Sequence, residues 1–546
     1  MCVDAVNDKN VKSSRKSTVL SIKFLIIAVL FFSMHLFEGL AADNAPFAST
    51  AAGVVRGYTD KGICVFKGIP YGDNTALHRF QPPDPPKPWS GIRYAREFGP
   101  FAPQQLNGRN VFFPSPHEGT RNSEDCLHLN VWTPALHDGR QRPVMVYFHG
   151  GAYSNSSSNF DMLDGVHLCK RGDVVVVTVN HRLTVFGYLY LAEIRGKEFS
   201  ESGNTGMLDL VLALQWVRDN AVEFGGDPKN VTILGQSGGG AKCATLMAMP
   251  AAKGLFHRVI TESGQQLTGR TKKHAAETAL QVLKNLGLSP GRSRELDTIP
   301  MERLLEASRG MYFGPVTDGL VLPHDPFDPN APPLSALIPM MMGNTHDETT
   351  VLIGGGDSTL FDLSWEELPQ RIQQSIQQFI GDLDPQYIVA SYRQWYPQYS
   401  PSDIFFAVST AARSWKGFVI ESERRVIQNA APTYVYQLNW RTPVNGGKWK
   451  SPHGLDIPLS FDNIAYCPSM VNNTADAQRM ADIMSDIWIA FARTGNPHTK
   501  TIPDWPQFNL ETRPTMIFDI PPRIENDPRG QERKFFAPIK YIQPGT

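Results

Sequence analysis

The sequence predicts an α/β protein in which helices cover a large, mixed but mostly parallel sheet. Two observations indicate this class. Short apolar segments of strand length alternate with longer segments of helical periodicity. Residues 174–179 (Val-Val-Val-Val-Thr-Val) are apolar almost without interruption, as in a strand buried on both faces. The composition agrees, since 41% of the 546 residues are hydrophobic and 19% are charged, which is ordinary for a globular protein with a large core.

The predicted elements follow one another along the chain without repeats or low-complexity tracts between them. Strands are assigned to short apolar runs, and helices to segments with apolar residues near helical spacing. Glycines that follow a helical segment mark its end. In order, these elements are a strand Val144–Phe148, a strand Val174–Val179, a helix Met207–Phe224 ending at Gly225 and Gly226, a strand Val231–Leu234, a helix Ala241–Met249, and strands Ile338–Met342 and Tyr434–Leu438.

The N-terminus has the pattern of a secretory signal peptide. Basic residues between Lys9 and Lys23 precede the apolar stretch Phe24–Phe37, and small residues follow it. A retained membrane anchor is the alternative, but the apolar run is shorter than the ~20 residues of a spanning helix. We therefore expect a signal peptide over residues 1–41, cleavage near Ala41 or Ala42, no stable membrane anchor, and a secreted or periplasmic protein with one domain over residues 42–546.

Charge and cysteine content exclude several classes of protein. The 52 Lys and Arg residues balance 53 Asp and Glu residues, and no dense basic run lies beyond the N-terminal segment, so nucleic acid is not an expected partner. The cysteines after the signal peptide are odd in number and widely spaced, which fits neither a disulfide framework nor a zinc site. We expect most of them to be buried thiols: Cys64, Cys126, Cys169, Cys243 and Cys467.

The segment Gly235-Gln-Ser-Gly-Gly239 directly follows a predicted strand and matches the pattern G-x-S-x-G. In this pattern the serine lies on a strained strand-to-helix turn with its hydroxyl exposed. Gly235 and Gly239 are required there because a Cβ at either position would collide with a neighbouring element. A chance match in a glycine-rich loop is the alternative, but the flanking strand and helix favour Ser237 as a nucleophile.

A second glycine motif, His149-Gly-Gly151, follows the strand Val144–Phe148. Glycines at a strand end let backbone N–H groups face a bound carbonyl oxygen. Together with the N–H of Gly238, the residue after the nucleophile, Gly150 and Gly151 are predicted to form an oxyanion hole. A plain glycine turn is the alternative.

The base and the acid are sought in the chain order serine, acid, histidine. Asp347 and Glu348 both follow the strand Ile338–Met342, and the pattern does not choose between them, since either is also suited to a helix N-terminus. Only His453 and His498 lie beyond these acids. His453 lies in a loop after a predicted strand, where an α/β sheet carries its site, whereas His498 lies in a turn-rich stretch typical of a solvated loop.

Taken together, the motifs resemble those of the type-B carboxylesterases, which include the cholinesterases and the bacterial p-nitrobenzyl esterases. The resemblance covers nearly the whole chain after the signal peptide. It rests on Phe66-Lys-Gly-Ile-Pro-Tyr71, Glu124-Asp-Cys-Leu-His-Leu-Asn-Val131, His149-Gly-Gly151, Asn204-Thr-Gly-Met-Leu-Asp209, Phe224-Gly-Gly-Asp-Pro228, Gly235-Gln-Ser-Gly-Gly239 and His453-Gly-Leu-Asp456.

The resemblance implies an α/β-hydrolase fold with insertions and a serine carboxylesterase that forms an acyl-enzyme. It implies Ser237 as nucleophile, Glu348 as acid and His453 as base, with Ser263 supporting the acid. No metal or organic cofactor is implied, and the expected partner is a small-molecule ester. The oligomeric state is left open.

Three departures from the family pattern are visible. Gly238 stands where the family usually has alanine, which predicts a looser turn with the N–H retained. The upstream cysteine that often pairs with the Glu-Asp-Cys motif is missing from 98–104, so a disulfide at Cys126 is not expected. Cholinesterases of this family bind the quaternary ammonium of their substrate through a cation–π contact with a tryptophan in the segment before the Glu-Asp-Cys motif. No tryptophan lies between Phe98 and Asn122 here, which favours general or aromatic esters over choline esters.

Two other functions remain as alternatives. The same triad supports hydrolysis of amides, thioesters or lactones, because function resides in the site and not in the fold. Some relatives with this fold have lost a triad member and act as binding modules. All three triad positions are filled here, which favours the enzyme.

Overall fold

A computed structural model describes Met1 and residues 45–105, 112–115, 117 and 119–544. The described residues from Phe47 onward form one compact unit. The predicted signal peptide and its cleavage site at Ala41 or Ala42 lie outside the described residues, so the predicted domain boundary at residue 42 stays a prediction. None of the helices in the described ranges is long and apolar enough to cross a membrane.

Most strands of the described chain belong to one mixed eleven-stranded sheet. The strands are β1 Phe47–Thr50, β2 Gly53–Arg56, β3 Tyr58–Asp60, β4 Ile63–Pro70, β5 Ile92–Tyr94, β6 His128–Thr133, β7 Arg142–Phe148, β8 Val175–Val179, β9 Gly226–Gln236, β10 Arg258–Glu262, β11 Arg270–Thr271, β12 Val316–Thr317, β13 Met340–Thr345, β14 Thr433–Leu438, β15 Pro514–Phe518 and β16 Arg523–Asn526. The order of the large sheet is β16-β15-β14-β13-β10-β9-β7-β8-β6-β4-β3, and two small sheets, β1-β2-β5 and β11-β12, lie outside it.

The middle of this sheet is parallel, and its edges are antiparallel. Every neighbouring pair from β8 through β7, β9, β10, β13 and β14 to β15 is parallel. The pairs β15-β16, β8-β6, β6-β4 and β4-β3 are antiparallel. The predicted α/β-hydrolase fold, with a large and mostly parallel central sheet, is therefore confirmed.

Helices lie between the strands and after them. They are α1 Val166–Gly172, α2 Thr184–Tyr188, α3 Ala192–Arg195, α4 Thr205–Asn220, α5 Gly238–Leu246, α6 Lys272–Asn285, α7 Met301–Ala307, α8 Thr349–Leu352, α9 Leu368–Ile380, α10 Pro385–Trp395, α11 Pro401–Ser409, α12 Lys416–Ile427, α13 Asp456–Ser460, α14 Ala475–Thr494 and α15 Gly530–Phe536. A short π-helical segment, Thr410–Trp415, joins α11 to α12.

Both faces of the sheet are buried, which explains its apolar strands. Along β7, Val144, Val146 and Phe148 belong to the apolar cluster that contains α4, while Met145 and Tyr147 belong to the cluster that contains α14. Because successive side chains of a strand point to opposite faces, a strand covered on both sides is apolar at every position. A third apolar cluster is formed mainly by α9, α10 and α11.

The predicted elements are present, with shifted ends. The helix after Ser237 begins at Gly238 instead of Ala241, and β9 begins at Gly226, well before Val231. The helix predicted as Met207–Phe224 ends at Asn220 and continues as a 3₁₀ turn, Ala221–Phe224. These shifts arise because glycines and polar residues at element ends carry weak periodic signals.

The cysteines of the described residues are free thiols. Cys126, Cys169, Cys243 and Cys467 are buried, and Cys64 is partly buried. Burial raises the pKa of the Cys126 thiol well above its ordinary value. The expectation of buried, unpaired cysteines therefore holds for most of them.

Candidate active site

The predicted site residues follow five neighbouring strands at their carboxyl ends. Strand β7 leads into Gly150 and Gly151, β9 into Ser237, β10 into Ser263, β13 into Glu348, and β14 into the loop of His453. These strands are consecutive in the order β7-β9-β10-β13-β14 and parallel to one another. Since the carboxyl ends of parallel strands meet at one edge, residues far apart in the sequence lie together there.

Ser237 lies on a strained turn between β9 and α5. Its backbone has φ 58° and ψ −126°, a left-handed conformation that non-glycine residues rarely adopt. Its N–H donates to the carbonyl oxygen of Glu262 at 2.7 Å, which fixes the turn against β10. A Cβ at Gly235 would lie 2.6 Å from the carbonyl oxygen of Phe148, and one at Gly239 only 2.0 Å from it. The predicted reason for both glycines is thus confirmed.

A cavity of about 1170 Å³ opens beside Ser237. Ser237, His453, Gly150 and Gly151 all line it. The cavity is large enough for a small organic ester, since ligand pockets are commonly 300–1,000 Å³ in size. The edge of the sheet where Ser237 lies therefore holds the side chains of Ser237 and His453 together with space for a substrate.

Glu348 and His453 are in direct contact through Oε2 of the carboxylate and Nδ1 of the imidazole. The carboxylate is completely buried, and its Oε1 accepts hydrogen bonds from the Ser263 hydroxyl at 2.5 Å, the Thr345 N–H at 2.9 Å and the Asn344 amide at 3.3 Å. Burial raises the pKa of Glu348, but the charge of His453 and these hydrogen bonds outweigh it and hold the pKa below its ordinary value. The carboxylate is therefore charged at neutral pH.

The structure separates the two acids that the sequence left open. Asp347 lies 3.1 Å from Nδ1 of His346 and accepts the N–H of Ser451 at 3.3 Å, so its side chain is used in holding the loop. Glu348 alone of the two contacts His453. The two histidines also differ, because His498 is exposed and lies 3.9 Å from Asp504 on a loop away from the cavity lining.

The side-chain amide of Gln236 lies against the His453 ring. Its Nε2 lies 3.2 Å from Nε2 of His453 and 3.5 Å from Nδ1. Because Nδ1 faces the Glu348 carboxylate, Nδ1 carries the proton and Nε2 of the neutral ring is an acceptor. The amide nitrogen is almost equally distant from the two ring nitrogens, so it packs against the ring and does not donate along the direction in which Nε2 accepts a proton.

Gly150 and Gly151 both line the cavity. Within the described chain, neither N–H donates to another group. A Cβ at Gly150 would lie 3.3 Å from the Cβ of Ser237, so this peptide borders the serine. Gly151 and Ala152 have positive φ values of 75° and 53°, which turn the chain sharply at the cavity wall.

The turn at Gly238 is tight, contrary to the looser turn expected from the sequence. A Cβ at position 238 would lie 2.5 Å from both Cα and the carbonyl oxygen of Ala152. Glycine lets the start of α5 approach the Gly151-Ala152 turn more closely than alanine would. The departure from the family pattern is thus matched by close backbone packing.

Sequence reasoning missed two cations near the site. Lys242 is fully buried on α5, and its Nζ donates to the carbonyl oxygen of His149 at 2.8 Å. Arg413 lines the cavity from the π-helical segment Thr410–Trp415. A lysine inside the apolar segment 241–246 was a usable signal for the first. Nothing in the sequence marks a π-helical turn, so the second had no comparable signal.

Aromatic residues around the site divide between the cavity and the core. Phe101 and Phe113 line the cavity. Tyr153 is buried, with its hydroxyl donating to Oε1 of Gln266 at 3.0 Å, and Phe112 is buried as well. In the described ranges, no three His, Cys, Asp or Glu side chains are grouped so that they could hold a metal ion.

Comparison with known proteins shows similarity over almost the whole chain. The family model described as carboxylesterase family matches residues 44–536. The para-nitrobenzyl esterase of Bacillus subtilis (strain 168) is 34% identical over 515 residues, which are 90% of this chain and 98% of that protein. Human carboxylesterase 3 is 30% identical over 87% of this chain and 88% of its own. The crystal structure of a Geobacillus stearothermophilus carboxylesterase covers 90% of this chain and 99% of that one, at 34% identity and a TM-score of 0.77.

Proposed function

Because the chain belongs to the carboxylesterase family and is a carboxylic ester hydrolase, we propose that Ser237, His453 and Glu348 form its catalytic triad. The observation that carries this proposal is the contact between Glu348 and His453 beside the strained Ser237 turn. A buried, charged carboxylate that holds an imidazole in the cavity that the serine also lines is the arrangement that activates serine as a nucleophile.

The first half of the reaction forms an acyl-enzyme. His453 removes the hydroxyl proton as the oxygen of Ser237 attacks the ester carbonyl. Glu348 keeps the proton of the neutral ring on Nδ1 and stabilises the imidazolium that forms. The tetrahedral intermediate collapses when His453 gives its proton to the leaving alcohol, which leaves the acyl group on Ser237.

The negative oxygen of the intermediate is stabilised by backbone N–H groups. Gly150, Gly151 and Gly238 are the proposed donors. Their positions are fixed by the turns around Ser237 and Ala152, so little reorganisation is needed when charge develops. Loss of one such donor typically costs ~2.7 to 4 kcal/mol of transition-state stabilisation.

The second half of the reaction releases the acid. Water in the cavity loses a proton to His453 and attacks the acyl-enzyme, and the second tetrahedral intermediate breaks down to free Ser237. Ser263 acts in both halves as a support, because its hydroxyl donates to the Glu348 oxygen that does not face His453.

The natural ester is proposed to be a general or aromatic ester rather than a choline ester. The cavity wall contains aromatic side chains, Phe101, Phe113 and Phe160, which suit an apolar alcohol or acyl group. Its formally charged residue, Arg413, repels a quaternary ammonium group.

The test is hydrolysis of p-nitrophenyl butyrate by the chain from residue 42 onward. We expect turnover by the wild type and loss of at least about 10³-fold in kcat in Ser237→Ala. Ser154→Ala is the matched control, since Ser154 lines the same cavity and has no proposed role. Equal loss in both variants would contradict the assignment of Ser237. Turnover of amide or thioester analogues faster than of the ester would favour the alternative hydrolases, and an inert, folded wild type would favour a binding module.

We also propose that the protein is exported. The basic and apolar N-terminal segment is the support, and it lies outside the described residues. Expression of the full chain, followed by N-terminal sequencing of the extracellular or periplasmic fraction, is expected to give a start at residue 42 or 43. An uncleaved chain in the membrane fraction would contradict export by a cleaved signal.

A further inference from the structure

The cavity wall carries an uncompensated positive charge. Among its described lining residues, Arg413 has the permanent charge, and no aspartate, glutamate or lysine joins it. Within this cavity of about 1170 Å³, no carboxylate of the described lining residues lies on the wall beside the cation. This charge has no part in the proposed triad or oxyanion hole.

The guanidinium of Arg413 is largely free to bind a ligand. In the described chain, the guanidinium donates a hydrogen bond to one side chain, the hydroxyl of Ser414, at 3.2 Å. Among the described residues, no carboxylate oxygen lies within 4.0 Å of a guanidinium nitrogen of Arg413, the distance that defines an ion pair. Glu348 is the acid that acts on it from farther away, but both oxygens of Glu348 already bind His453 and Ser263.

Burial of the Arg413 guanidinium without a counter-ion costs solvation free energy. Burial lowers the pKa of Arg413 below its ordinary value, which shows that water solvates the guanidinium poorly, although an arginine stays protonated at neutral pH. A guanidinium has five N–H donors in a planar fork that matches a carboxylate. An anionic ligand group would therefore supply the missing counter-ion and the missing acceptors together.

The backbone at Arg413 supports a functional role. Residues Thr410–Trp415 form a π-helical segment between two α-helices, and π-helical turns are frequent at functional sites. Here the segment places Arg413 and Ser414 side by side on the cavity wall.

Resting on the proposed function, we propose that Arg413 is a specificity residue that binds a free carboxylate of the substrate. Among the general or aromatic esters proposed above, the preferred substrates are then monoesters of dicarboxylic acids, whose ester carbonyl reaches Ser237 while the second carboxylate binds the guanidinium. Neutral esters are accepted less well, and esters of cationic alcohols are disfavoured.

The experiment compares kcat/KM for mono-p-nitrophenyl glutarate, which carries a carboxylate, with that for neutral p-nitrophenyl butyrate. We expect the ratio of kcat/KM for the glutarate ester to kcat/KM for the butyrate ester to be higher in the wild type than in Arg413→Gln by about ten-fold or more. This difference should lie mainly in the KM of the glutarate ester. Turnover of the neutral ester should change by less than about three-fold. Arg413→Lys, which keeps the charge and loses the fork, should keep part of the preference.

An unchanged ratio in Arg413→Gln would overturn the proposal, and so would an equal loss for both esters, which indicates a structural role. If the wild type cleaves neither ester, the proposed function fails separately. Calorimetry then still tests Arg413, because glutarate should bind the wild type and not Arg413→Gln; equal binding, or none to either, would overturn the carboxylate site.

A different observation concerns the buried Lys242. Its Nζ donates to the carbonyl oxygen of His149, and that carbonyl and the N–H of Gly150 belong to the same peptide group. A cation that binds the oxygen of a peptide draws electron density from its nitrogen, and hydrogen bonds in a chain strengthen one another in this way. The lysine therefore lies behind a proposed oxyanion donor.

No acid in the described residues compensates this lysine at ion-pair distance. The groups that face it are the buried rings of His149, His181 and Tyr153 and the thiol of Cys243. Burial, and secondly the charge of Lys242, lowers the pKa of both histidines well below its ordinary value, so they are neutral. Burial lowers the pKa of Lys242 to about 7.

Resting again on the proposed function, we propose that protonated Lys242 is a positioning residue that polarises the Gly150 N–H toward the oxyanion. Its charge acts on the transition state and not on the neutral substrate. Removal of the charge is therefore expected to lower kcat and leave KM nearly unchanged.

The test is the pH profile of kcat for p-nitrophenyl butyrate in the wild type, Lys242→Met and Lys242→Arg. Because the protonated form is the active one, wild-type kcat should fall as the pH rises through about 7 to 8. Lys242→Met should have kcat about ten-fold lower below that range and no such fall. Lys242→Arg should keep high kcat and move the fall to higher pH.

A wild-type profile without this fall, or an identical fall in Lys242→Met, would contradict the role of the charge. Where Lys242→Met fails to fold, the wild-type and Lys242→Arg profiles decide: a fall at the same pH in both overturns the proposal. Inactivity of the wild type would refute the proposed function instead.

Discussion

Gly238 packs against the backbone of Ala152 so closely that a Cβ at position 238 would lie 2.5 Å from two backbone atoms of Ala152. Gly238→Ala, although it introduces the residue usual in related esterases, is therefore expected to displace the Gly151-Ala152 turn. Because the displaced turn carries proposed oxyanion donors, we expect kcat for p-nitrophenyl butyrate to fall by about 10-fold to 10³-fold. Gly291→Ala is the matched control, since a Cβ there meets nothing within 4 Å. Full activity in Gly238→Ala would show that the turn adapts freely.

The amide of Gln236 lies against the imidazole ring that the proposed mechanism uses as a base. Gln236→Glu would place a carboxylate about where Nε2 lies now, 3.2 Å from Nε2 of His453. A nearby negative charge stabilises an imidazolium relative to the neutral ring. We therefore expect the acid limb of kcat/KM to move to higher pH by about one unit or more. An unchanged limb, measured with the same ester, would mean that residue 236 does not act on His453.

Substitution of His453 and of His498 is expected to have different effects on activity. His453→Gln should lower kcat by at least about 10³-fold, because the base and its contact with Glu348 are lost. His498→Gln should leave kcat unchanged, because His498 is exposed on a loop. Steady-state assays of both variants decide this, and a large loss only in the His498 variant would refute the base assignment.

A buried acid outside the triad predicts a pH dependence of stability. Glu421 on α12 accepts the N–H of Gln266 at 3.0 Å through one oxygen, and its other oxygen has no partner in the described chain. Burial raises the pKa of Glu421 to about 8. Since the folded pKa lies above the unfolded one, the contribution of this group to stability is complete below about pH 4.5 and is lost as the pH rises toward about 8.

Glu421→Gln should therefore show a smaller fall of Tm than the wild type between about pH 6 and about pH 9. Thermal unfolding at several pH values measures this difference. Exposed Glu295 provides the control, because Glu295→Gln should follow the wild-type curve. Parallel curves for the Glu421 variant and the wild type would show that Glu421 is not protonated in the folded state.

Much of the site was predictable because its residues follow strand ends. Strands β7, β9, β13 and β14 have strong apolar signals, and the residues just after them, such as Ser237 and His453, could be assigned to one edge of the sheet. Sequence pattern alone did not distinguish Asp347 from Glu348. Neighbours in the sequence point in different directions, and only the fold shows which carboxylate faces His453.

The cations near the site lay beyond sequence reasoning for a different reason. The effect of Lys242 depends on which carbonyl its Nζ reaches, and that carbonyl is 93 residues away in the chain. Arg413 reaches the cavity from a π-helical segment, whose extra residue per turn has no sequence signature. Such contacts between distant segments appear only when the sheet and its helices are assembled.

The most direct test of the triad is the intact mass of the protein after treatment with diethyl p-nitrophenyl phosphate, an organophosphate that phosphorylates activated serines. The account predicts a single diethylphosphoryl adduct, located on Ser237 by peptide mapping, with parallel loss of esterase activity and no adduct in Ser237→Ala. An adduct on another serine would contradict Ser237 as the nucleophile. The absence of any adduct on an enzyme that is folded and active before treatment would contradict it as well.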